Sequence, residues 1–322
     1  MDSFNKVCGN ILGYKMKKNV KLHMKKIILL STAATMLLFT GCKSKQETLS
    51  VGIMPDLDSI PIVVAEHLGY FDENIKLEIY KSPVDRDSAF YSGNLDGSIS
   101  DVLAAGLANE GDFPVYITSK TYGRYGIVAG KDSGIVSPKD LEGKEIGLSL
   151  NTIIEYVTDM VIRNGGGDTA LVTKTSVPKI PSRLELLYGN QIAAIAVPEP
   201  YLSAAAEEGN TIVGSSDELG INPGIMIFTK SAVTDKEKEI KAFYEAYDKA
   251  VAYINTTDPS EFMPYVIEKV GLPESTSNIK LPEYQKTTLP DEKEVTQAMN
   301  WLLDKELIKT AYSYDELVKE IK

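Results

Sequence analysis

One pattern occurs twice in this chain. A helical run near Arg86–Ser92 ends in Gly93-Asn94-Leu95-Asp96-Gly97, a strand Ser98-Ile99-Ser100 follows, and a helix from Asp101 stops at Gly111. The second copy has a helix from Arg183, then Gly189-Asn190-Gln191-Ile192-Ala193-Ala194, a strand through Val197, a helix after Pro200, and Gly209. The bounding glycines lie 18 and 20 residues apart, and each copy runs on into a short β-like segment, Pro114–Ile117 and Thr211–Val213. Solenoids need three or more repeats to bury a continuous core. Two copies therefore predict two similarly built α/β lobes.

The surrounding segments fit that plan. Leu49–Met54 reads as a first strand, Pro61 opens a helix through Leu68, and Gly69 ends it. Lys76–Tyr80 alternates as a half-buried strand does. Asp140–Ser149 is a turn and then a strand. Asn151 and Thr152 are N-cap residues for a helix Ile153–Asn164. Gly224–Thr229 is a further strand. Residues 232–255, 258–270 and 291–305 then read as three helices, with the sole tryptophan, Trp301, on the last. Strands alternating with helices, followed by helices alone, predict α/β lobes with a helical C-terminal segment.

The N-terminus has another character. Met24-Lys25-Lys26 is a basic head, Ile27 through Thr40 carries no charge, and the run closes on Gly41-Cys42. Such a head, an apolar stretch of about 7–15 residues and a small-residue cleavage site make a secretory signal. The stretch falls short of the roughly 20 apolar residues that span a bilayer. Leu38-Phe39-Thr40-Gly41-Cys42 resembles the lipobox of bacterial lipoproteins, with Phe39 where Leu is usual. The resemblance implies a diacylglyceryl group on Cys42, cleavage that leaves Cys42 first, and anchoring by acyl chains such as palmitate on the extracytoplasmic face of the cell membrane. Two or more chains hold stably where one is marginal. Residues 1–42 are thus the upstream extension (1–23) and the lipoprotein signal, expected to be removed ahead of Cys42, with Met24 or Met16 the true start. Residues 43–48 form a tether.

Removing residues 1–42 takes away seven lysines and one aspartate, leaving 27 basic and 44 acidic residues and a net charge of −17. So acidic a body repels phosphate backbones, which argues against nucleic acid as a partner. Neither cysteine lies beyond Cys42, and His67 is the one histidine left. That excludes disulfides, cysteine nucleophiles and His–Cys zinc sites from the mature chain. No cofactor, metal site or catalytic residue is expected.

The pieces, in this order, resemble the type II periplasmic-binding-protein fold, and within it the ABC-importer substrate-binding proteins of the sulfonate, nitrate and thiamine-pyrimidine group. The residues that carry the resemblance are Pro61 with Ala65-Glu66-His67-Leu68-Gly69-Tyr70-Phe71, then Ser92–Gly97, Asp140–Gly147 and Pro198-Glu199-Pro200, over about residues 49–315. Ala193 stands where that family often has Asp. The resemblance implies a first lobe from 48–123 plus 230–322, a second from 124–229, and hinge crossings at Tyr122–Ile127 and Gly224–Thr229. It further implies a monomer that passes a small ligand from the inter-lobe cleft to a permease and its ATPase. A thiamine-pyrimidine biosynthetic enzyme on the same fold is the alternative.

In open α/β sheets ligands bind beyond the carboxyl ends of strands, at helix N-termini. That rule picks Ser59 in the loop Asp56–Ile60, Ser82 and Arg86 in Lys81–Asp87, and Asp101 after the third strand. It also picks Thr118, Ser119 and Tyr122 at the first crossing, Asn151, Thr152 and Tyr156 at the next helix, and Glu199. Each has a structural reading beside the functional one: N-cap for Ser59, Asp101 and Glu199, local ion pair for Arg86, core for Tyr156. Helix N-termini and Arg86 favour an anion such as a sulfonate or carboxylate. Tyr122, Tyr156 and Asp101 favour a flat heterocycle with N–H groups. Both stay open on the sequence.

Overall fold

The computed structural model describes residues 47–321; Cys42, the signal segment and the tether up to residue 46 lie outside the described residues. Ten strands form two five-stranded sheets. The first holds β1 (Leu49–Ile53), β2 (Ile75–Ile79), β3 (Gly97–Asp101), β4 (Val115–Lys120) and β10 (Gly224–Thr229), in the order β2-β1-β3-β10-β4. The second holds β5 (Tyr125–Ala129), β6 (Glu145–Leu148), β7 (Thr173–Ser176), β8 (Ala194–Pro198) and β9 (Thr211–Ser215), in the order β7-β6-β8-β5-β9. In each sheet one strand runs against both its neighbours: β10 in the first and β5 in the second. The two lobes therefore repeat one topology, with each lobe's antiparallel strand next to a chain crossing.

Burial explains the strand sequences. β3 and β5 are buried along their whole length, as strands covered by helices on both faces must be. The edge strands β2 (Ile-Lys-Leu-Glu-Ile) and β7 (Thr-Lys-Thr-Ser) are polar and half-exposed, which blunts edge pairing with other chains.

In the first lobe the helices are α1 (Ile60–His67), α2 (Pro83–Tyr91) and α3 (Val102–Glu110). In the second they are α4 (Ile153–Asn164), α5 (Ile180–Tyr188) and α6 (Tyr201–Glu207). The C-terminal segment adds α7 (Lys230–Asp235), α8 (Glu237–Ile254), α9 (Met263–Val270), α10 (Glu292–Asp304) and the short α11 (Tyr314–Leu317). α8 buries Ile240, Phe243, Tyr244, Tyr247, Val251 and Ile254, a helical stripe that packs on α1. α10 lies on α3, where Gly106 has no Cβ because Leu302 Cδ1 and Met299 Cε would each stand 2.8 Å from one. Among the described residues no helix is long and apolar enough to cross a membrane.

Three boundaries differ from the sequence reading. Gly224–Thr229 does not close the second lobe: it lies wholly in the first sheet, paired with β3 and β4. The return crossing is residues 216–223, and the outgoing one is 121–124. The uniformly apolar Gly-Ile-Met-Ile-Phe-Thr fits either sheet, and only pairing decides between them. The expected helix 232–255 breaks at Lys236, whose Nζ binds both Asp96 carboxylate oxygens at 2.8 Å and the Thr48 carbonyl at 2.7 Å. Helix α2 starts at Pro83, ahead of Arg86, because the Ser82 hydroxyl accepts from the Asp85 amide (3.1 Å) and caps it.

Candidate functional site

The carboxyl ends of β1 and β3 face those of β6 and β8 across a narrow cleft. The first lobe contributes Met54, Asp56, Arg86, Ser100 and Asp101; the second contributes Tyr125, Ile153, Ile154, Ile180 and Arg183. The enclosed space is only about 20 Å³, room for about one water molecule. The lobes are closed on each other.

Charge is concentrated here. Asp56, Arg86, Asp101 and Arg183 are all at least nine-tenths buried. The Ser59 amide and hydroxyl both donate to Asp56 Oδ1 (3.2 and 3.1 Å), yet burial and the neighbouring Asp58 raise the Asp56 carboxyl well above the usual range. Burial also raises Asp101, to about 6, against the pull of Arg86. Arg86 pairs with Asp87 at 2.8 Å, and its Nη1 lies 3.5 Å from Met54 Sδ. Arg86 Nη2 is the atom held at 2.8 Å by Asp87 Oδ1, whereas Ser100 Oγ is buried without a hydrogen-bond partner among the protein atoms. Such an orphan group costs free energy unless a ligand or water meets it.

Arg183 behaves differently. Its Nε donates to the Val177 carbonyl (2.7 Å), Nη1 to Ala196 O (2.5 Å), and Nη2 to Pro178 O (3.0 Å) and to Ser149 Oγ. No carboxylate pairs with it among the described residues, and burial pulls its pKa down to about 9.

The N-terminus of α4 points at the cleft from the second lobe, and three of the amides there already have acceptors. The Asn151 amide donates to Glu155 Oε2 (2.8 Å), the Ile153 amide to Asp101 Oδ2 (3.3 Å), and the Ile154 amide to Thr152 Oγ1 (3.2 Å). Asn151 takes φ +59, a left-handed conformation that asparagine tolerates better than most residues. Asp101 thus reaches across the cleft: its Oδ1 caps α3 through the Ala104 amide (2.9 Å) while Oδ2 meets α4.

A second link lies at the hinge. Tyr125 Oη donates to Asp58 Oδ2 at 2.6 Å, and burial raises both groups. Gly123 in the outgoing crossing and Gly224 at the start of β10 both lie close against this carboxylate. A Cβ on Gly123 would lie 2.0 Å from Asp58 Oδ2, and one on Gly224 3.1 Å from Oδ1.

Of the residues picked from the sequence, the structure brings Arg86 and Asp101 to the cavity. Asn151 and Thr152 form the end of α4 beside it. Ser59 sits one shell back: the Met54 amide donates to its hydroxyl (3.1 Å). It precedes α1 without capping it through the side chain. Ser82 is spent capping α2. Thr118 and Ser119 turn away, Thr118 to Tyr244 Oη (2.5 Å) and the Met226 carbonyl, Ser119 to the carbonyls of Lys120 and Thr288. Tyr122 lies in an open groove behind the hinge, with Arg124 and Glu199. Tyr156 is core, edge-on to Trp301 at 5.8 Å. Glu199 accepts from the Ser203 amide and hydroxyl (3.0 and 2.7 Å) and pairs with Arg124 at 2.9 Å, so its carboxylate is used at the start of α6. His67 stacks on Tyr265, outside the cavity.

Asp56, Ser100, Tyr125 and Arg183 line the cavity and Asp58 binds Tyr125 at the hinge, beyond the residues expected from the sequence. One signal for Arg183 was available, since it holds the place in the second copy that Arg86 holds in the first. Among the described residues no group of three or more His, Cys, Asp or Glu side chains is arranged to hold a metal ion.

Comparison with known proteins adds the lineage. The profile of the NMT1/THI5-like family matches residues 56–261. No curated protein sequence matches the chain. The alkanesulfonate-binding protein SsuA from Xanthomonas axonopodis pv. citri, solved with MOPS bound, superposes with a TM-score of 0.73 at 14% identity, over 85% of this chain and 98% of its own. The periplasmic aliphatic sulphonate binding protein SsuA from Escherichia coli gives 0.71 at 15% identity, over 86% and 93%. The desulfurization enzyme DSZB gives 0.66 at 13% identity, over 85% and 96%. The shared architecture is the two-lobed type II periplasmic-binding-protein fold.

Proposed function

We propose, from the premise that this chain belongs to the NMT1/THI5-like family, that it is the extracytoplasmic solute-binding component of an ABC importer. It captures one small molecule between its lobes and hands it to a permease driven by an ATPase. The observation that carries this reading is the cleft itself. Two lobes of one topology close on a cavity whose walls hold buried charge and a serine hydroxyl, Ser100 Oγ, without a protein partner. The cavity is too small for a solute, so loading requires hinge opening at residues 121–124 and 216–223. Diacylglyceryl anchoring on Cys42 keeps the monomer at the membrane, near its permease.

The test is native mass spectrometry of protein purified without denaturation, followed by thermal shift with the molecule it carries. A ligand at 100 to 1,000 times its Kd stabilises the folded state by about 2.7–4.1 kcal/mol. At about 2–4 °C per kcal/mol that raises Tm by roughly 5–15 °C. A protein that carries no small molecule, and that no candidate solute stabilises, is not a solute-binding protein. Mass spectrometry of membrane fractions reads the anchor: a diacylglyceryl mass on a chain beginning at Cys42 supports it, and a chain beginning elsewhere removes it.

A biosynthetic enzyme is the second reading, favoured by the desulfurization enzyme on the same fold. Against it stand the absence of cysteine after Cys42 and the position of His67, the one histidine after that point, against Tyr265. Conversion of the carried molecule on prolonged incubation would restore the enzyme reading.

A further inference from the structure

The inference concerns which molecules the cleft accepts, and it rests on the solute-binding reading. Helix N-termini attract anions because their first amides lack internal acceptors. In the second lobe that place belongs to α4, and a carboxylate of the first lobe already fills it. Asp101 Oδ2 accepts from the Ile153 amide while Oδ1 accepts from the Ala104 amide. Glu155 takes the Asn151 amide of the same helix end.

The cations of the cavity are also committed. Arg86 faces Asp87 at 2.8 Å, and Arg183 spends its N–H groups on three carbonyls and a hydroxyl. What remains toward the cavity is the pair Asp56 and Asp101, with Ser100 Oγ as the unpartnered group and Arg86 Nη1 held only by the Met54 sulfur at 3.5 Å. Two carboxylates without a free cation accept hydrogen bonds and repel a fixed negative charge. A sulfonate carries that charge at every accessible pH. An amidine or aminopyrimidine edge offers N–H groups to the carboxylates and, in the heterocycle, a ring nitrogen to Ser100 or Arg86. Ile99, Ile153, Ile154 and Ile180 supply flat apolar walls for such a ring.

We propose that Asp101 is the specificity-determining residue of the cleft: by occupying the N-terminus of α4 it turns an anion site into an acceptor site, so the ligand is a small nitrogenous molecule with N–H donors, neutral or cationic, and strong-acid anions are rejected.

The experiment is isothermal calorimetry on the mature protein and on Asp101→Asn. The probes are 4-aminopyrimidine, benzamidine, ethanesulfonate and nitrate, measured at pH 7.5. Asparagine is as good an N-cap as aspartate, so α3 keeps its cap, and a melting curve of each protein checks folding. At the other end the amide replaces a carboxylate acceptor and frees the Ile153 N–H. The expected result is binding of 4-aminopyrimidine or benzamidine to the wild type and none of ethanesulfonate or nitrate. In Asp101→Asn the nitrogenous probe weakens tenfold or more and ethanesulfonate binding becomes measurable. A purely structural role for Asp101 would weaken every probe alike and would not invert the preference.

Wild-type binding of ethanesulfonate more tightly than either nitrogenous probe overturns the inference and leaves the solute-binding reading standing. Uniform weakening in the variant overturns it too. Binding of no probe, with no small molecule carried through purification, overturns both.

Discussion

Arg86 and Arg183 hold corresponding places in the two lobes. Each is the fourth residue of the helix that follows the edge strand, α2 after β2 and α5 after β7, and each lines the same cavity from opposite sides. Their surroundings differ. Arg86 pairs Nη2 and Nε with the Asp87 carboxylate and leaves Nη1 with only the Met54 sulfur, 3.5 Å away. Arg183 has carbonyl partners and no carboxylate, and it joins three points of the second lobe: the loop after β7, the middle of β8 and Ser149. Repeating a topology therefore repeats positions and not roles. One arginine is left with something to offer a ligand, while the other holds its lobe together.

Removing Arg183 is the strongest way to break that comparison. Arg183→Leu strands the carbonyls of Val177, Pro178 and Ala196 in a buried place, each losing its donor. A loss of about 3–5 kcal/mol is expected, in the range reserved for buried polar networks. Urea unfolding should show a lower midpoint at an unchanged slope. A loss below about 1 kcal/mol would mean that the two arginines are not distinguished by their bonding.

Much of this was legible in the sequence, and the limits have physical causes. Strand and helix positions follow from periodicity and caps: Thr152 and Gly165 bound α4 where the sequence put them. The two lobes followed from the duplicated glycines. Which side chains face the cleft did not follow. Along β4 side chains alternate, so Thr118 turns to Tyr244 on α8, a partner 126 residues away in sequence. Tyr156 sits on the face of α4 that Trp301 covers. In the loop that holds Asp56 and Asp58 the sequence marks only Ser59, since nothing local tells a carboxylate that another lobe will close over it.

Asp101 supplies the next largest effect, because it caps one helix in each lobe at once. Its carboxyl is raised to about 6 by burial, against about 3.9 in an unfolded chain. Between those values the native state holds the proton longer, so stability falls as pH rises from about 4 through 6. The whole difference is at most about 3 kcal/mol by the relation of about 1.4 kcal/mol per unit. Arg86, Asp87 and Tyr91 on α2, with Asp56, Asp58 and Tyr125 on the facing elements, share this field. Comparing wild type with Asp101→Asn isolates the one carboxyl. The variant should lose less stability between pH 5 and 7.5 and be no less stable than wild type at pH 7.5. A steeper fall in the variant would show that this carboxylate is not strained in the closed cleft.

Arg86→Met sharpens the comparison from the other side. Methionine keeps most of the volume, and Asp87, partly exposed, is left to solvent. Stability should change by less than about 1.5 kcal/mol, the ordinary worth of a hydrogen bond. Affinity for the carried ligand should fall about 10- to 100-fold, as expected for losing a charged hydrogen bond. Equal losses of stability in Arg86→Met and Arg183→Leu would erase the distinction between the pair.

The smallest effect tests whether the lobes are joined anywhere beyond the cleft and hinge. Helix α10, packed on α3 of the first lobe, reaches α4 of the second through Trp301 Nε1 to Asp159 Oδ2 (3.1 Å) and Lys305 Nζ to Glu155 Oε1 (2.7 Å). Glu155 is buried and keeps Lys174 and the Asn151 amide as partners when Lys305 is removed. Lys305 is one-third exposed, so solvent screens its share. Lys305→Met is therefore expected to cost under about 1 kcal/mol. Its signature is salt: wild type should lose part of this contribution as ionic strength rises, because screening weakens partly exposed pairs, while the variant should not. Melting curves at 0.05 and 0.5 M NaCl read the difference, and matched curves in both proteins would remove Lys305 from the contacts that hold the lobes closed.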